Sequence, residues 1–178
     1  FIGIGGIGVS SLAHYFISQG SVVTGSDMVD SETIVSLKKA GAKIFIGGHL
    51  HQNIDNDTDL VIYSPAVTED NPEIKKAKEM KIEIKSYPEA LGDLTKKYFT
   101  IAVSGTHGKS TTTAMLALIM IEAGLDPTVI IGTKLKEFNG LNFRKGNSNY
   151  LLIEADEYKE SFLNYRPNTI LVTNIDKD

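Results

Sequence analysis

Two glycine-rich turns constrain the fold of this chain more than any other feature. The first, at residues 3–8, follows an apolar start and precedes a helix-periodic segment, and the second, at residues 105–108, follows the apolar run 98–103 and precedes another such segment. Glycines at a strand-to-helix turn let backbone amides approach an anion at the positive end of the helix. The pattern therefore predicts two parallel-sheet units, each with a phosphate-binding turn.

Apolar strand-like runs alternate with helix-periodic segments, which is typical of parallel sheets wound with helices. We predict strands at 2–4, 21–25, 43–46, 60–63, 82–85, 98–103, 128–131, 150–154 and 169–173, and helices at 7–19, 32–40, 72–80, 89–94 and 109–122. The polar residues 95–97 mark a boundary between two domains. We therefore expect an α/β chain with a Rossmann-like parallel-sheet domain at 1–95, followed by part of a P-loop ATPase-like α/β domain at 96–178.

Composition excludes several classes of protein. No apolar run approaches the roughly 18 to 20 residues that span a membrane, and no cysteine is present to form a disulfide or a thiolate metal site. A net charge of -4 argues against a nucleic-acid-binding surface. We expect a cytoplasmic protein with no membrane or nucleic-acid partner, and the sequence leaves its oligomeric state open.

The second glycine turn has the chemistry of an ATP site. Lys109 can bridge the terminal phosphates and the Ser110 hydroxyl is placed to ligate Mg²⁺. The general phosphate-loop pattern has a glycine where this chain has Val103, and Gly105 supplies the flexibility instead. The alternative is a turn that only caps a helix. The candidate ATP-binding residues are Gly105, Thr106, His107, Gly108, Lys109, Ser110 and Thr111.

The first turn satisfies the pattern G-x-G-x-x-G between Gly3 and Gly8, and Asp27 lies 19 residues beyond Gly8. Spacing and context match a fold that holds the diphosphate of a nucleotide at a helix N-terminus. The residues alone leave open whether the ligand is NAD, FAD or a UDP-sugar, or whether the turn is purely structural.

Together with the segment EADEY at residues 154–158, these turns resemble the Mur ligases of peptidoglycan synthesis. The likeness extends over essentially the whole chain and also includes residues 26–27, 48–49, 63–67, 71–73 and 173–175. His107 is typical of the branch that joins L-alanine to UDP-N-acetylmuramate and of a relative that recycles a tripeptide.

The resemblance implies an ATP-dependent amide ligase. In such enzymes the muramate carboxylate attacks the γ-phosphate of ATP, and the amine of alanine displaces the phosphate from the resulting acyl phosphate. Positioned cations and N–H donors are then the main catalytic resource. The resemblance gives catalytic roles to Lys109, on the β- and γ-phosphates, and to Glu154, which joins Ser110 as a ligand of Mg²⁺. Glu154 taken alone could be an ordinary acidic strand end, and we assign no role to Asp156 or Glu157.

The resemblance also implies UDP-N-acetylmuramate, and not NAD, as the ligand of the first turn. The residues expected around it are Gly5, Gly6, Ile7, Gly8, Asp27, His49 and Ser64. Asp27 and His49 would lie near the uridine or the diphosphate. Without the resemblance, His49 in its polar turn is more simply a solvated surface histidine, and turn formation explains Ser64 before a proline almost as well.

The first residues read as the tail of a strand already under way, and no further element follows the last predicted strand, so we expect a piece of a longer enzyme. The family's histidine metal ligand after an acidic stretch, its adenine-binding segments and its third domain are missing, so we expect this chain to bind the UDP-sugar without turning over. Two alternatives stay open, namely the tripeptide-recycling ligase and a noncatalytic module that binds NAD or another nucleotide.

Overall fold

The computed structural model describes residues 1–156 and 158–176. They form two compact units, Phe1–Ala90 and Leu91–Asp178. Both are mixed α/β units with parallel sheets, which confirms the α/β class and the parallel sheets that we predict, and the P-loop ATPase-like character of the second unit stays a prediction. The division between the units falls within helix Tyr87–Thr95, and the boundary that we predict lies after the last residue of that helix. The assignment of a separate function to each domain stays a prediction.

The first unit contains four short strands, β1 Thr24–Asp27, β2 Lys43–Ile46, β3 Leu60–Tyr63 and β4 Glu83–Ser86. β1 pairs in parallel with β2, and β3 pairs in parallel with β4. Ile2 forms parallel bridges to both Ser26 and Tyr63. This single residue therefore lies between the two strand pairs and joins them, so that the first glycine turn leaves the middle of the sheet.

The helices of this unit are α1 Ile7–Ser18, α2 Glu32–Lys39, α3 Pro72–Glu79 and the start of α4 Tyr87–Thr95, and a 3₁₀ turn covers His51–Asn53. Their starts follow sequence signals. The Ser31 hydroxyl accepts the Ile34 N–H at the start of α2, and the Asn71 side chain accepts two amides at the start of α3, where Pro72 needs no donor. Apolar side chains of these helices pack on the sheet in two clusters.

The second strand differs from its prediction. We expect residues 21–25, whereas β1 begins at Thr24 and reaches Asp27. Val22 is 96% exposed, which is unfavourable for a strand inside a sheet, whereas Ser26 is buried and its hydroxyl donates to the buried carboxylate of Glu73. The first predicted strand, 2–4, is reduced to the bridges of Ile2, since Gly3 turns the chain at a φ of 70°.

The second unit holds a five-stranded sheet in the order β7-β6-β8-β5-β9. Its elements are β5 Phe99–Ser104, α5 Lys109–Glu122, β6 Thr128–Leu135, β7 Leu141–Arg144, β8 Tyr150–Glu154 and β9 Thr169–Val172, with 3₁₀ turns at Lys136–Phe138 and Tyr158–Asn164. Only β7 is antiparallel. β8 and β9 flank β5, so three carboxyl ends meet beside the second glycine turn.

Two features of this sheet escape the sequence prediction. β7 lies in a stretch rich in glycine and asparagine, which favours turns, and β6 continues past residue 131 through Gly132.

Within the described part of the chain, no helix is long and apolar enough to cross a bilayer.

Gly8→Ala tests the packing of the first turn. A Cβ on Gly8 would lie 2.8 Å from Cζ of Tyr87, closer than carbon atoms approach without displacement. We expect a loss of about 1–3 kcal/mol in the free energy of unfolding, as for overpacked cores. Urea denaturation measures it, with Gly48→Ala as the matched control because a Cβ there meets nothing within 4 Å. Equal stability of the two variants would contradict this packing role.

Candidate nucleotide-binding sites

The second glycine turn leads into the amino end of α5, whose own first turn carries no acidic side chain. Gly105 and Gly108 have φ values of 130° and 81°, in the left-handed region that favours glycine. Gly108 caps the helix with no side-chain hydrogen bond, and the first turn carries no acidic residue. Because the first amides of a helix lack helical carbonyl partners, this end can receive an anion.

The segment after β9 holds the turn in place. Thr173 Oγ1 donates to the His107 carbonyl at 2.6 Å, and the Asn174 side chain both donates to that carbonyl at 3.2 Å and accepts the His107 N–H at 3.0 Å. Thr106 Oγ1 accepts the Asp176 N–H at 3.1 Å. The His107 amide therefore bonds to Asn174, and the segment after β9 fixes the conformation of the turn that leads into α5.

Lys109 lies over the same turn. Its ammonium donates to the carbonyls of Gly105 at 2.7 Å and Thr106 at 3.3 Å. These are weaker partners than phosphate oxygens, because an ammonium binds an anion more strongly than a neutral carbonyl. Thr111 is exposed in the first turn of α5. The structure thus brings the seven predicted ATP-binding residues into one loop and helix start.

Ser110 and Glu154 come together at the ends of neighbouring elements. Ser110 Oγ donates to Glu154 Oε1 at 2.9 Å, and the Gly132 amide donates to Glu154 Oε2 at 2.8 Å. Hydroxyl and carboxylate oxygens suit Mg²⁺, which usually takes few protein ligands and completes its shell with water and phosphate oxygens. Among the described residues no three His, Cys, Asp or Glu side chains cluster as metal ligands. The oxygens of Ser110 and Glu154 thus have the chemistry of magnesium ligands.

The acidic segment continues after Glu154. Asp156 is exposed, and Glu157 lies outside the described residues. Gly132 was not predicted, and its sequence signal is a glycine that directly follows the apolar run 128–131. A Cβ at Gly132 would lie 2.9 Å from Glu154 Oε2, so only glycine allows this close approach.

A cleft of about 440 Å³ opens beside the first glycine turn, within the size range of small-molecule sites. It includes five of the seven residues predicted to surround a UDP-sugar. The lining consists of Gly3, Gly5, Gly6, Asp27, Met28, Val29, Ser31, His49, Ser64, Ala66 and Val67. Ile7 and Gly8 do not line it, since Ile7 starts α1 and Gly8 lies against Tyr87.

Asp27 shapes the first turn directly. Its Oδ2 accepts the Gly5 N–H at 2.8 Å, and its Oδ1 accepts the Val29 N–H at 3.3 Å. A Cβ on Gly5 would lie 2.9 Å from Oδ2, so glycine is needed for this contact. Ser64 faces the cleft from the end of β3, where its hydroxyl accepts the Ala66 N–H. Asp27 thus holds the loop as well as lining the cleft.

His49 is not the solvated surface histidine that its polar turn suggests. Its side chain is only 16% exposed, and Nδ1 lies 2.9 Å from Ser26 Oγ and 3.1 Å from Glu73 Oε2. The alternative of a solvated surface residue, which the local sequence alone favours, does not hold, since its partners Ser26 and Glu73 are distant in the chain. His49 belongs to the wall of the cleft.

Comparison with known proteins identifies the family. The profile described as Mur ligase family, catalytic domain, matches residues 1–99. The chain belongs to the Mur ligase family. The match covers the first glycine turn and the whole cleft.

Relatives within the Mur ligase family extend the likeness to the full chain. The UDP-N-acetylmuramate--L-alanine ligase of Clostridium kluyveri is 48% identical over 179 residues, which cover 100% of this chain and 39% of the relative. The crystal structure of the UDP-N-acetylmuramate-alanine ligase MurC of Thermotoga maritima matches with a TM-score of 0.92 at 38% identity, over 100% of this chain and 41% of that chain. This Mur ligase chain thus spans about two fifths of the length of these relatives.

A Mur ligase with a different named substrate is also similar. The UDP-N-acetylmuramate:L-alanyl-gamma-D-glutamyl-meso-diaminopimelate ligase of Neisseria meningitides matches with a TM-score of 0.89 at 27% identity, over 99% of this chain and 60% of that chain. The fold is therefore shared by the alanine and the tripeptide ligases, and sequence identity is higher to the alanine ligases.

Gly105→Ala tests how closely the second turn of this Mur ligase is packed. A Cβ there would lie 2.1 Å from Thr173 Oγ1, at a φ of 130°. Strain and overpacking together should cost about 3 kcal/mol or more in the free energy of unfolding. Gly108→Ala is the matched control, because its Cβ meets nothing within 4 Å and only the φ of 81° costs about 1–2 kcal/mol. Chemical denaturation compares the variants, and a larger loss for Gly108→Ala would refute the packing account.

Proposed function

We propose that this chain supplies the UDP-sugar-binding domain, residues 1–95, and part of the ATP-binding domain, residues 96–178, of a cytoplasmic ligase that joins L-alanine to UDP-N-acetylmuramate. The observation that carries the proposal is the meeting of Lys109, Ser110 and Glu154 at the carboxyl ends of parallel strands. The identity to alanine ligases over the whole chain supports the choice of substrate.

The proposed reaction gathers negative charge around one phosphoryl group, and this charge determines what the site must supply. The carboxylate of the UDP-sugar attacks the γ-phosphorus of ATP, ADP leaves, and the amine of L-alanine then displaces phosphate from the acyl phosphate to form the amide. Negative charge accumulates on the transferred phosphoryl group, and the Lys109 ammonium and the first amides of α5 are placed to stabilise it. Bound Mg²⁺ would neutralise further phosphate charge, with Ser110 and Glu154 as its protein ligands.

The proposal requires the Lys109 ammonium to exchange carbonyl partners for phosphate oxygens when ATP binds. The ammonium donates to two loop carbonyls, and a phosphate oxygen is a stronger partner than either. The Ser110–Glu154 hydrogen bond would likewise give way to a shared cation.

The tripeptide ligase is the second candidate function. The Neisseria meningitides enzyme, which is named for a tripeptide substrate, has nearly the same fold over this chain. The two candidates share the UDP-sugar and ATP chemistry and differ only in the amine substrate, so turnover with each amine separates them.

Calorimetric titration of this chain with UDP-N-acetylmuramate tests the first half of the proposal. We expect saturable binding of the UDP-sugar, no competition by NADH, and no amide product when ATP, Mg²⁺ and L-alanine are added to the chain unaided. Binding of NADH without any response to the UDP-sugar would replace the proposal with a dinucleotide-binding module.

A further inference from the structure

Glu73 is a buried carboxylate behind the cleft that the proposed chemistry does not use. It lies near the start of α3, its side chain is 1% exposed, and it does not line the cleft. Oε2 accepts from Ser26 Oγ at 2.6 Å, and Oε1 accepts from Asn53 Nδ2 at 2.6 Å. Burial of a carboxylate is costly unless hydrogen bonds compensate it, so this cluster is an organised polar network.

The network determines which nitrogen of His49 carries a proton. A serine hydroxyl has one proton, and Ser26 gives it to Glu73. Towards His49 Nδ1, at 2.9 Å, Ser26 can then only accept, and Glu73 Oε2, at 3.1 Å from the same nitrogen, is an acceptor as well. Nδ1 must therefore be the donor, and Nε2 is the ring nitrogen left for a ligand.

The composition of the cleft lining shows why the orientation of the His49 ring matters for a ligand. Among the described residues that line it, His49 is the only one able to carry a positive charge, and Asp27 is the only acidic one. With Nδ1 protonated, Nε2 of the neutral ring is a hydrogen-bond acceptor, so it suits an N–H or hydroxyl group of a ligand and not a diphosphate, which itself offers only acceptors.

We propose that Glu73, together with Ser26 and Asn53, is a positioning residue that holds His49 with Nδ1 protonated and Nε2 presented, as an acceptor, to an N–H or hydroxyl group of the UDP-sugar. The inference rests on the proposed function for the identity of the ligand. It goes beyond that function by assigning a role to a residue that does not line the cleft. Three separate segments, β1, α3 and the 3₁₀ turn after β2, meet to build this support.

The tautomer is testable without any ligand. Long-range ¹H–¹⁵N correlation spectra of the chain distinguish the two neutral forms of His49, and loss of its signals in His49→Gln assigns them among the four histidines. We expect the Nδ1–H form in the unaltered chain. In Glu73→Gln, which offers one acceptor oxygen where Glu73 has two, we expect a mixture of forms. An Nε2–H form in the unaltered chain would overturn the inference while leaving the proposed function untouched.

A double-mutant cycle then tests whether Glu73 acts through His49. Calorimetry with UDP-N-acetylmuramate compares the unaltered chain, Glu73→Gln, His49→Gln and the double variant. We expect Glu73→Gln to weaken binding about 10-fold in the presence of His49 and to have no further effect in its absence. Glu79→Gln, an exposed carboxylate of the same helix, is the matched control and should bind normally.

The possible outcomes distinguish the positioning role of Glu73 from the proposed binding of the UDP-sugar. Equal weakening by Glu73→Gln in both backgrounds, or no weakening in either, would overturn the positioning role. Failure of the unaltered chain to bind the UDP-sugar would instead remove the proposed function. Circular dichroism at the titration temperature verifies that each variant is folded, and the spectra of the unaltered chain decide the tautomer even if Glu73→Gln fails to fold.

Discussion

Lys109→Ala in the full-length protein should lower the rate of ADP release by at least about 100-fold, the cost of removing one preorganised group that stabilises transition-state charge. Lys109 lies over the glycine turn and already bonds to two of its carbonyls, so no large movement is needed to reach a phosphate. Release of ADP with saturating UDP-N-acetylmuramate, L-alanine and Mg-ATP measures the effect.

This variant should leave binding of the UDP-sugar unchanged, because the cleft of the first unit contains no residue of the second glycine turn. Lys97→Ala, an exposed lysine before β5, is the matched control and should retain full turnover. Equal loss of UDP-sugar binding and turnover in Lys109→Ala would contradict the division of the two sites.

Glu154→Gln should have a similarly large effect, again at least about 100-fold on ADP release. The substitution keeps the size of the side chain but removes the negative charge that faces the Ser110 hydroxyl at 2.9 Å. Magnesium prefers charged oxygen ligands, so we expect half-maximal activity to require more Mg²⁺ in the variant. A titration of ADP release against Mg²⁺ concentration separates this metal effect from a general loss of activity.

Glu122→Gln is the matched control for that substitution. Glu122 is exposed at the end of α5, far along the helix from Ser110 at its start, and should show the Mg²⁺ dependence of the unaltered protein. If Glu154→Gln also kept that dependence, Glu154 could not be a ligand of the metal.

The second glycine turn shows how much local sequence can predict. Gly105, Lys109 and Ser110 follow a strand and open a helix, and α5 runs over Lys109–Glu122 as its apolar periodicity predicts. Glu154 ends the neighbouring strand β8. Parallel strands bring their carboxyl ends to one edge, so the proximity of Ser110 and Glu154 follows from topology that the sequence indicates.

The first cleft shows where local sequence is insufficient. Glu73 looks like an ordinary acidic residue in the first turn of a helix, which is favourable for the helix dipole alone. Its burial depends on Ser26, 47 residues away, and on Asn53, 20 residues away. Such long-range partners leave no periodic signal, and the same limit applies to His49.

Turnover by the full-length protein with two different amines tests the central claim most directly. ADP release is measured with UDP-N-acetylmuramate and Mg-ATP, once with L-alanine and once with the tripeptide L-alanyl-gamma-D-glutamyl-meso-diaminopimelate. We predict release with L-alanine alone. Release with the tripeptide alone, or with neither amine, would contradict the assignment as an alanine-adding ligase.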